Sequence, residues 1–167
     1  MAELRVPLPP RTKPDPRAQL QDPRVRAAAH RALEAIRAGE PVARAIRRHP
    51  TPTGYLSKAV LLALYRELVA QGQWAADPQL EARLRLKPVR SLSGVTVVTV
   101  LTKPYPCPGQ CVFCPTDVRM PKSYLPEEPG AQRAYQHQFD PYAQVRARLD
   151  ALEQVGHPTD KIELLIL

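Results

Sequence analysis

Val95-Thr96-Val97-Val98-Thr99-Val100-Leu101, followed six residues later by Cys107-Pro108-Gly109-Gln110-Cys111-Val112-Phe113-Cys114, is the stretch that decides how this chain folds. The first part is β-branched almost throughout, which suits a strand covered on both faces. The second part gathers all three cysteines of the chain into one eight-residue loop. Pro104, Pro106, Pro108 and Pro115 bound and stiffen that loop and forbid helix within it. A strand that runs straight into such a loop sets its thiols at the strand's carboxyl end, where parallel α/β sheets carry their chemistry.

The spacing is CxxxCxxC. Three thiolates this close can hold three irons of a cubane [4Fe-4S] cluster and leave the fourth iron without a protein ligand. The natural occupant of that open iron is S-adenosylmethionine, whose sulfonium is split to a 5′-deoxyadenosyl radical by one electron from the cluster. A disulfide framework needs an even cysteine count and a secretory context, and the chain has neither. Structural zinc remains the alternative: it would recruit a fourth ligand such as His137 and make the chain a zinc-stabilised RNA-binding module without catalysis.

Upstream of the strand the period is helical. Residues 1–21 hold five prolines among polar residues and read as a flexible arm. Asp22-Pro23 opens a helix in which Val25, Ala29, Ala32 or Leu33, and Ile36 recur, with Gly39 as its stop. A short helix from Pro41 to His49 turns Val42, Ala45 and Ile46 inward. Ser57 caps a third helix running to Gln71, whose broad apolar set Val60, Leu61, Leu64 and Leu68 marks it as the centre of a small helical domain. A further amphipathic piece spans Gln79 to Leu86, and the boundary with the sheet falls near residue 88.

Charge divides the chain at about the same place. Net charge is +8, yet residues 1–90 carry 17 Lys and Arg against 8 Asp and Glu, while residues 91–167 carry 7 against 8. A basic segment attached to a neutral one suggests polyanion binding, because phosphate contacts gain from counterion release. The candidate RNA-binding residues are Arg31, Arg37, Arg44, Arg47, Arg48 and Lys58. Cations at a helix end also complement its dipole, so part of the cluster has a structural reading. No stretch approaches the about 20 apolar residues of a membrane span, and the expectation is a cytoplasmic protein with no membrane partner.

Downstream, Asp140-Pro141 opens a helix with Tyr142, Val145, Leu149 and Leu152 in one stripe, and Gly156 closes it before Ile162–Leu167, an apolar run read as a strand severed from the remainder of its sheet. Strand, loop, helix and strand make a right-handed parallel βαβ unit, which needs further strands to complete its sheet.

With its cysteine loop on the first strand of such a barrel, the chain resembles the radical S-adenosylmethionine superfamily and, within it, the family of the catalytic subunit of Elongator. The resemblance is carried by Lys87-Pro88-Val89-Arg90 with Ser93-Gly94, Thr102-Lys103-Pro104, Cys111-Val112-Phe113-Cys114-Pro115, Tyr124 to Pro129, Asp140-Pro141-Tyr142, and Gly156-His157 with Asp160-Lys161-Ile162-Glu163, in order and rough spacing. It covers residues 85–167 well and the helical front more loosely. It implies an α/β fold: a basic helical tRNA-binding region over 22–87, then over 88–167 the first βαβ unit of a partial TIM-type radical barrel. An acetyltransferase domain would lie beyond this chain.

Members of the family modify the wobble uridine of tRNA at C5, using acetyl-CoA to form carboxymethyluridine. The resemblance assigns Cys107, Cys111 and Cys114 to the [4Fe-4S] cluster, Phe113 to the adenine of S-adenosylmethionine, and Lys161 to acetyl-CoA. It names no catalytic residue and no electron donor within this stretch. The family's eukaryotic members insert a longer stretch between the first two cysteines, so with its compact spacing the chain resembles a bacterial-type form, and the resemblance implies that it works without accessory subunits. A glycine-rich turn contacting the cofactor would come after Leu167, and because the missing barrel strands leave parallel edges and apolar surface exposed, residues 1–167 alone are expected to aggregate or lose the cluster and to be inactive. A radical enzyme with another substrate stays open.

Overall fold

The computed structural model describes residues 14–109, 111–115 and 117–167, so most of the expected arm lies outside the described residues. The chain divides into two compact units, one containing residues 14–96 and 151–161, the other residues 97–150 and 162–167.

The first unit is helical, and its helices start where side chains can satisfy the open amides of a first turn. α1 (Pro16–Gln19) begins at Asp15, whose carboxylate accepts from the Arg17 amide at 3.0 Å. This turn corrects the extended-arm reading over residues 16–20. A proline in a first turn has no amide to lose and a φ already suited to helix, and burial of Pro16 and Leu20 holds the turn in place. α2 (Pro23–Arg37) is capped by Asp22 and buries Val25, Ala28, Ala29, Ala32, Leu33 and Ile36. α3 (Val42–Arg48) buries Ala45, with Val42 and Ile46 partly covered.

α4 (Lys58–Ala70) is capped by the Ser57 hydroxyl, which accepts from the Val60 amide at 3.2 Å, and it ends before Gly72 at φ +70°. It buries Val60, Leu61, Leu62, Leu64, Tyr65 and Leu68. Because α1, α2 and α5 (Pro78–Leu84) all pack on it, α4 is the centre that its broad apolar set predicts. Each large aliphatic side chain buried there contributes about 1.5–3 kcal/mol, so this cluster dominates the unit's stability.

Residues 151–161 join the same unit through backbone contacts. Leu86 donates to the Val155 carbonyl at 3.0 Å and Arg85 Nε to the Gly156 carbonyl at 2.7 Å. Gly156 is needed twice over: its φ is +89°, and a Cβ there would lie 3.0 Å from Leu62 Cδ2 and 3.4 Å from Arg85 Cα.

The second unit is α/β: it holds β1 (Thr96–Val100) from Val97 on, α6 (Pro129–Gln136), α7 (Pro141–Gln154) as far as Asp150, and β2 (Ile162–Ile166). The two strands form a small parallel sheet, in which Leu167 donates to the Val100 carbonyl at 2.9 Å and Thr102 to the Leu167 carbonyl at 2.8 Å. The crossover carries two helices rather than the single one expected. α6 is too short to print a full apolar period and buries only Ala131 and Ala134. Those two pack with Leu101, Met120 and Phe139 in a small core of their own, with Tyr124 against it.

Two expectations are corrected here. β1 buries one face, Thr96, Val98 and Val100, while Val97 is 42% exposed, and every position of β2 is exposed. Tyr142 is 77% exposed and does not join the predicted stripe; the buried residue in that first turn is Gln144. Among the described residues no helix is long and apolar enough to cross a membrane.

Candidate metal centre and nucleic-acid face

β1 ends at Val100, and from there to α6 the described residues are irregular, as the prolines among them require. All three cysteines are free thiols; Cys107 and Cys111 are exposed and Cys114 is partly covered. Gly109 lies between the first two. Its amide donates to Cys107 Sγ at 3.4 Å, and a Cβ on it would fall 3.5 Å from Cys107 Sγ and 3.6 Å from Cys111 Sγ. The glycine therefore leaves open a space that both sulfurs border. Cys114 Sγ is 3.4 Å from the hydroxyl of Ser123.

Among the described residues no three His, Cys, Asp or Glu groups are gathered at metal-binding distances. The donor set nevertheless suits a thiophilic cluster: three free sulfurs on one loop, with the space beside two of them kept clear by a missing side chain.

Beyond Cys114 the chain carries a local ion pair between residues two apart. Asp117 accepts from Arg119 Nε at 2.9 Å and from Nη2 at 2.7 Å, and this hydrogen bonding holds the Asp117 carboxyl below the usual carboxylate range. Phe113 is 95% exposed, with nothing packed over its ring. Lys161 is exposed immediately before β2, and its carbonyl accepts from the Thr96 amide at 2.9 Å.

The basic residues sort into two kinds. Arg31 and Arg47 are exposed and make no ion pair among the described residues. Arg44 and Arg48 also project outward, at 3.8 and 3.6 Å from the carboxylate of Glu40, whose own side chain is only 13% exposed. The Arg37 guanidinium lies 4.8 Å from the centroid of the Trp74 ring, a cation–π contact that fixes its place on the surface.

Lys58 belongs to the other kind. Its ammonium donates to the Arg83 carbonyl at 2.8 Å and the Arg85 carbonyl at 3.4 Å, at the end of α5. A cation held against otherwise open helix-end carbonyls has a structural task, which stands beside its reading as a phosphate contact. Arg83 serves the end of α2 in the same way, donating to the Ile36 and Glu40 carbonyls at 3.0 and 2.9 Å. Sequence reading missed this use of basic residues because donor and acceptor are 25 to 47 positions apart.

No family model matches the chain. It is 53% identical over 90 residues, 50% of its length, to the tRNA uridine(34) acetyltransferase of Methanocaldococcus infernus. It is 51% identical over 78 residues to the protein of the same name from Dehalococcoides mccartyi, and 38% identical over 108 residues to Elongator complex protein 3 of Bos taurus. About half of this chain is similar in sequence to proteins named tRNA uridine(34) acetyltransferase and Elongator complex protein 3. The Elongator resemblance carried by the cysteine loop and its flanks is thus matched by relatives of that kind. The matches cover 47% of this chain for the Dehalococcoides protein and 56% for the bovine one. The chain spans 17% of the length of the first two relatives and 20% of the bovine one.

Proposed function

We propose that this chain is the RNA-binding and cluster-binding part of an enzyme that modifies the wobble uridine of tRNA at C5, with acetyl-CoA as carbon donor and carboxymethyluridine as product. The observation that carries the reading is the 53% identity over 90 residues to a protein named tRNA uridine(34) acetyltransferase. The cysteine loop at the end of β1 is consistent with it.

In this reading Cys107, Cys111 and Cys114 hold a [4Fe-4S] cluster, which when bound supplies the electron that splits S-adenosylmethionine. The remaining work belongs to side chains of this protein. Phe113, standing out beside the last cysteine, offers its ring to the adenine of S-adenosylmethionine. Lys161 offers a cation to acetyl-CoA. Arg31, Arg37, Arg44, Arg47 and Arg48 contact tRNA phosphates, with Arg37 pre-oriented by Trp74 and the Arg44 and Arg48 guanidinium groups held near Glu40. The reaction takes place in the cytoplasm, in a bacterial-type form without accessory subunits.

Anaerobic reconstitution of the full-length protein with iron and sulfide, followed by reduction, tests this directly. The expected result is a four-iron cluster and conversion of S-adenosylmethionine to 5′-deoxyadenosine. A protein that retains zinc and assembles no cluster overturns it, in favour of a zinc-stabilised RNA-binding module. Cleavage of S-adenosylmethionine without affinity for tRNA points instead to a radical enzyme with another substrate.

A further inference from the structure

Ser123 has a positive φ, +75°, which costs a side-chain-bearing residue free energy that glycine escapes. The Tyr124 amide donates to the Pro121 carbonyl at 3.2 Å, closing a four-residue turn with Ser123 in third place. When that third residue has positive φ, glycine or asparagine is the usual occupant. The exposed serine there places its hydroxyl 3.4 Å from Cys114 Sγ. A backbone position that glycine would fill at lower cost is held by a residue whose hydroxyl is aimed at a sulfur.

We infer that Ser123 is a positioning and tuning residue for the sulfur of Cys114, donating a hydrogen bond to it that raises the reduction potential of the cluster. The inference rests on the cluster reading under Proposed function and deepens it. A ligating thiolate accepts and has no proton to give, so the hydroxyl is the donor. Negative charge on a cluster's sulfurs grows on reduction, so a donated hydrogen bond stabilises the reduced form more than the oxidised one. The turn is the device that holds the hydroxyl in place: Pro121 at its start is buried beside Met120 of the core, and Tyr124 at its end packs against that same core.

The test uses the full-length protein, reconstituted anaerobically, as wild type, Ser123→Ala and Ser123→Gly. Iron and sulfide are counted, and the midpoint potential is read by redox titration with electron paramagnetic resonance. Both variants remove the hydroxyl; Ser123→Gly also relieves the backbone, so the pair separates hydrogen bonding from conformational cost. The expected result is a lower midpoint in both variants, by up to about tenfold in the reduction equilibrium, which is about 59 mV for a one-electron couple. Loss of the cluster from both variants, with helical content unchanged by circular dichroism, also supports the inference, since the hydroxyl is what both remove. A wild-type midpoint in either variant overturns it. Failure of the wild type to assemble a cluster overturns the underlying reading instead, and iron content tells the two failures apart.

Discussion

The side-chain amide of Gln144 pairs with both backbone polar groups of Leu101, accepting from its N–H at 3.1 Å and donating to its carbonyl at 3.0 Å. Gln144 thereby imitates the backbone of a neighbouring strand and extends the pairing of β1 by one residue, up to the start of the cysteine loop. Both residues are buried, so neither backbone group has water as a substitute.

Gln144→Ala leaves the Leu101 N–H and carbonyl buried and unpaired, at a cost of about 2–4 kcal/mol in global stability. Denaturant unfolding of the full-length protein measures the loss. Hydrogen exchange at Leu101 locates it: the amide is protected in the wild type and exchanges fast in the variant. Unchanged stability would show that the pairing contributes nothing.

Substitution of each cysteine by serine should abolish cluster assembly while leaving the fold alone. Cys107 and Cys111 are exposed and none of the three is in a disulfide, so the stability of the metal-free protein shifts by no more than about 0.5 kcal/mol. Iron content and thermal melting, measured side by side, distinguish a loop that holds a cluster from a zinc site on which folding depends.

The arginines of α3 give a prediction in salt. Neutralising Arg47 and Arg48 should weaken tRNA binding across sequences and lower the slope of log affinity against log salt by about one per arginine. Lys58→Ala should leave that slope unchanged and lower the melting temperature, because its ammonium is held by the carbonyls at the end of α5. Filter binding over a salt series and a melt of each variant check both statements.

Acid stability should report the Arg26–Glu67 pair. The hydrogen bond from Arg26 holds the Glu67 carboxyl below its ordinary value of 4.5. A depressed carboxylate contributes stability that is fully present above its unfolded pKa and is lost as pH falls through the folded one. The wild-type advantage over Glu67→Gln should thus be constant near neutrality and shrink below pH 4.5. Its size is at most about 1 kcal/mol, since both side chains are more than a third open to solvent or close to it.

Helices α2 and α4 were legible because everything that defines them is local: Asp22 and Ser57 as caps, Gly39 and Gly72 at positive φ as stops, and an apolar period between them. The parallel pairing of β1 with β2 could be read from the switch to β-branched residues and the crossover between them. α1 was hidden by counting prolines without asking which of them stood in a first turn. α6 was hidden by its length. Gln144 escaped because a polar residue on a buried face breaks the apolar period, and its reason for being there is a backbone 43 residues away. The cysteines were legible as a loop from spacing alone, whereas the contact of Cys114 with Ser123 belongs to a turn that no spacing rule describes.

The carbonyl-held cations have a consequence for how this surface can change over generations. Lys58 and Arg83 are tied to the ends of two helices, so drift at those positions is checked by folding whatever nucleic acid is bound. Among the described residues Arg31 and Arg47 carry no such tie, and under the proposed function they can be gained, lost or moved as the RNA to be bound changes shape. One architecture thus separates an immobile set of positive charges from an adaptable one, and recognition can diversify without disturbing the scaffold beneath it.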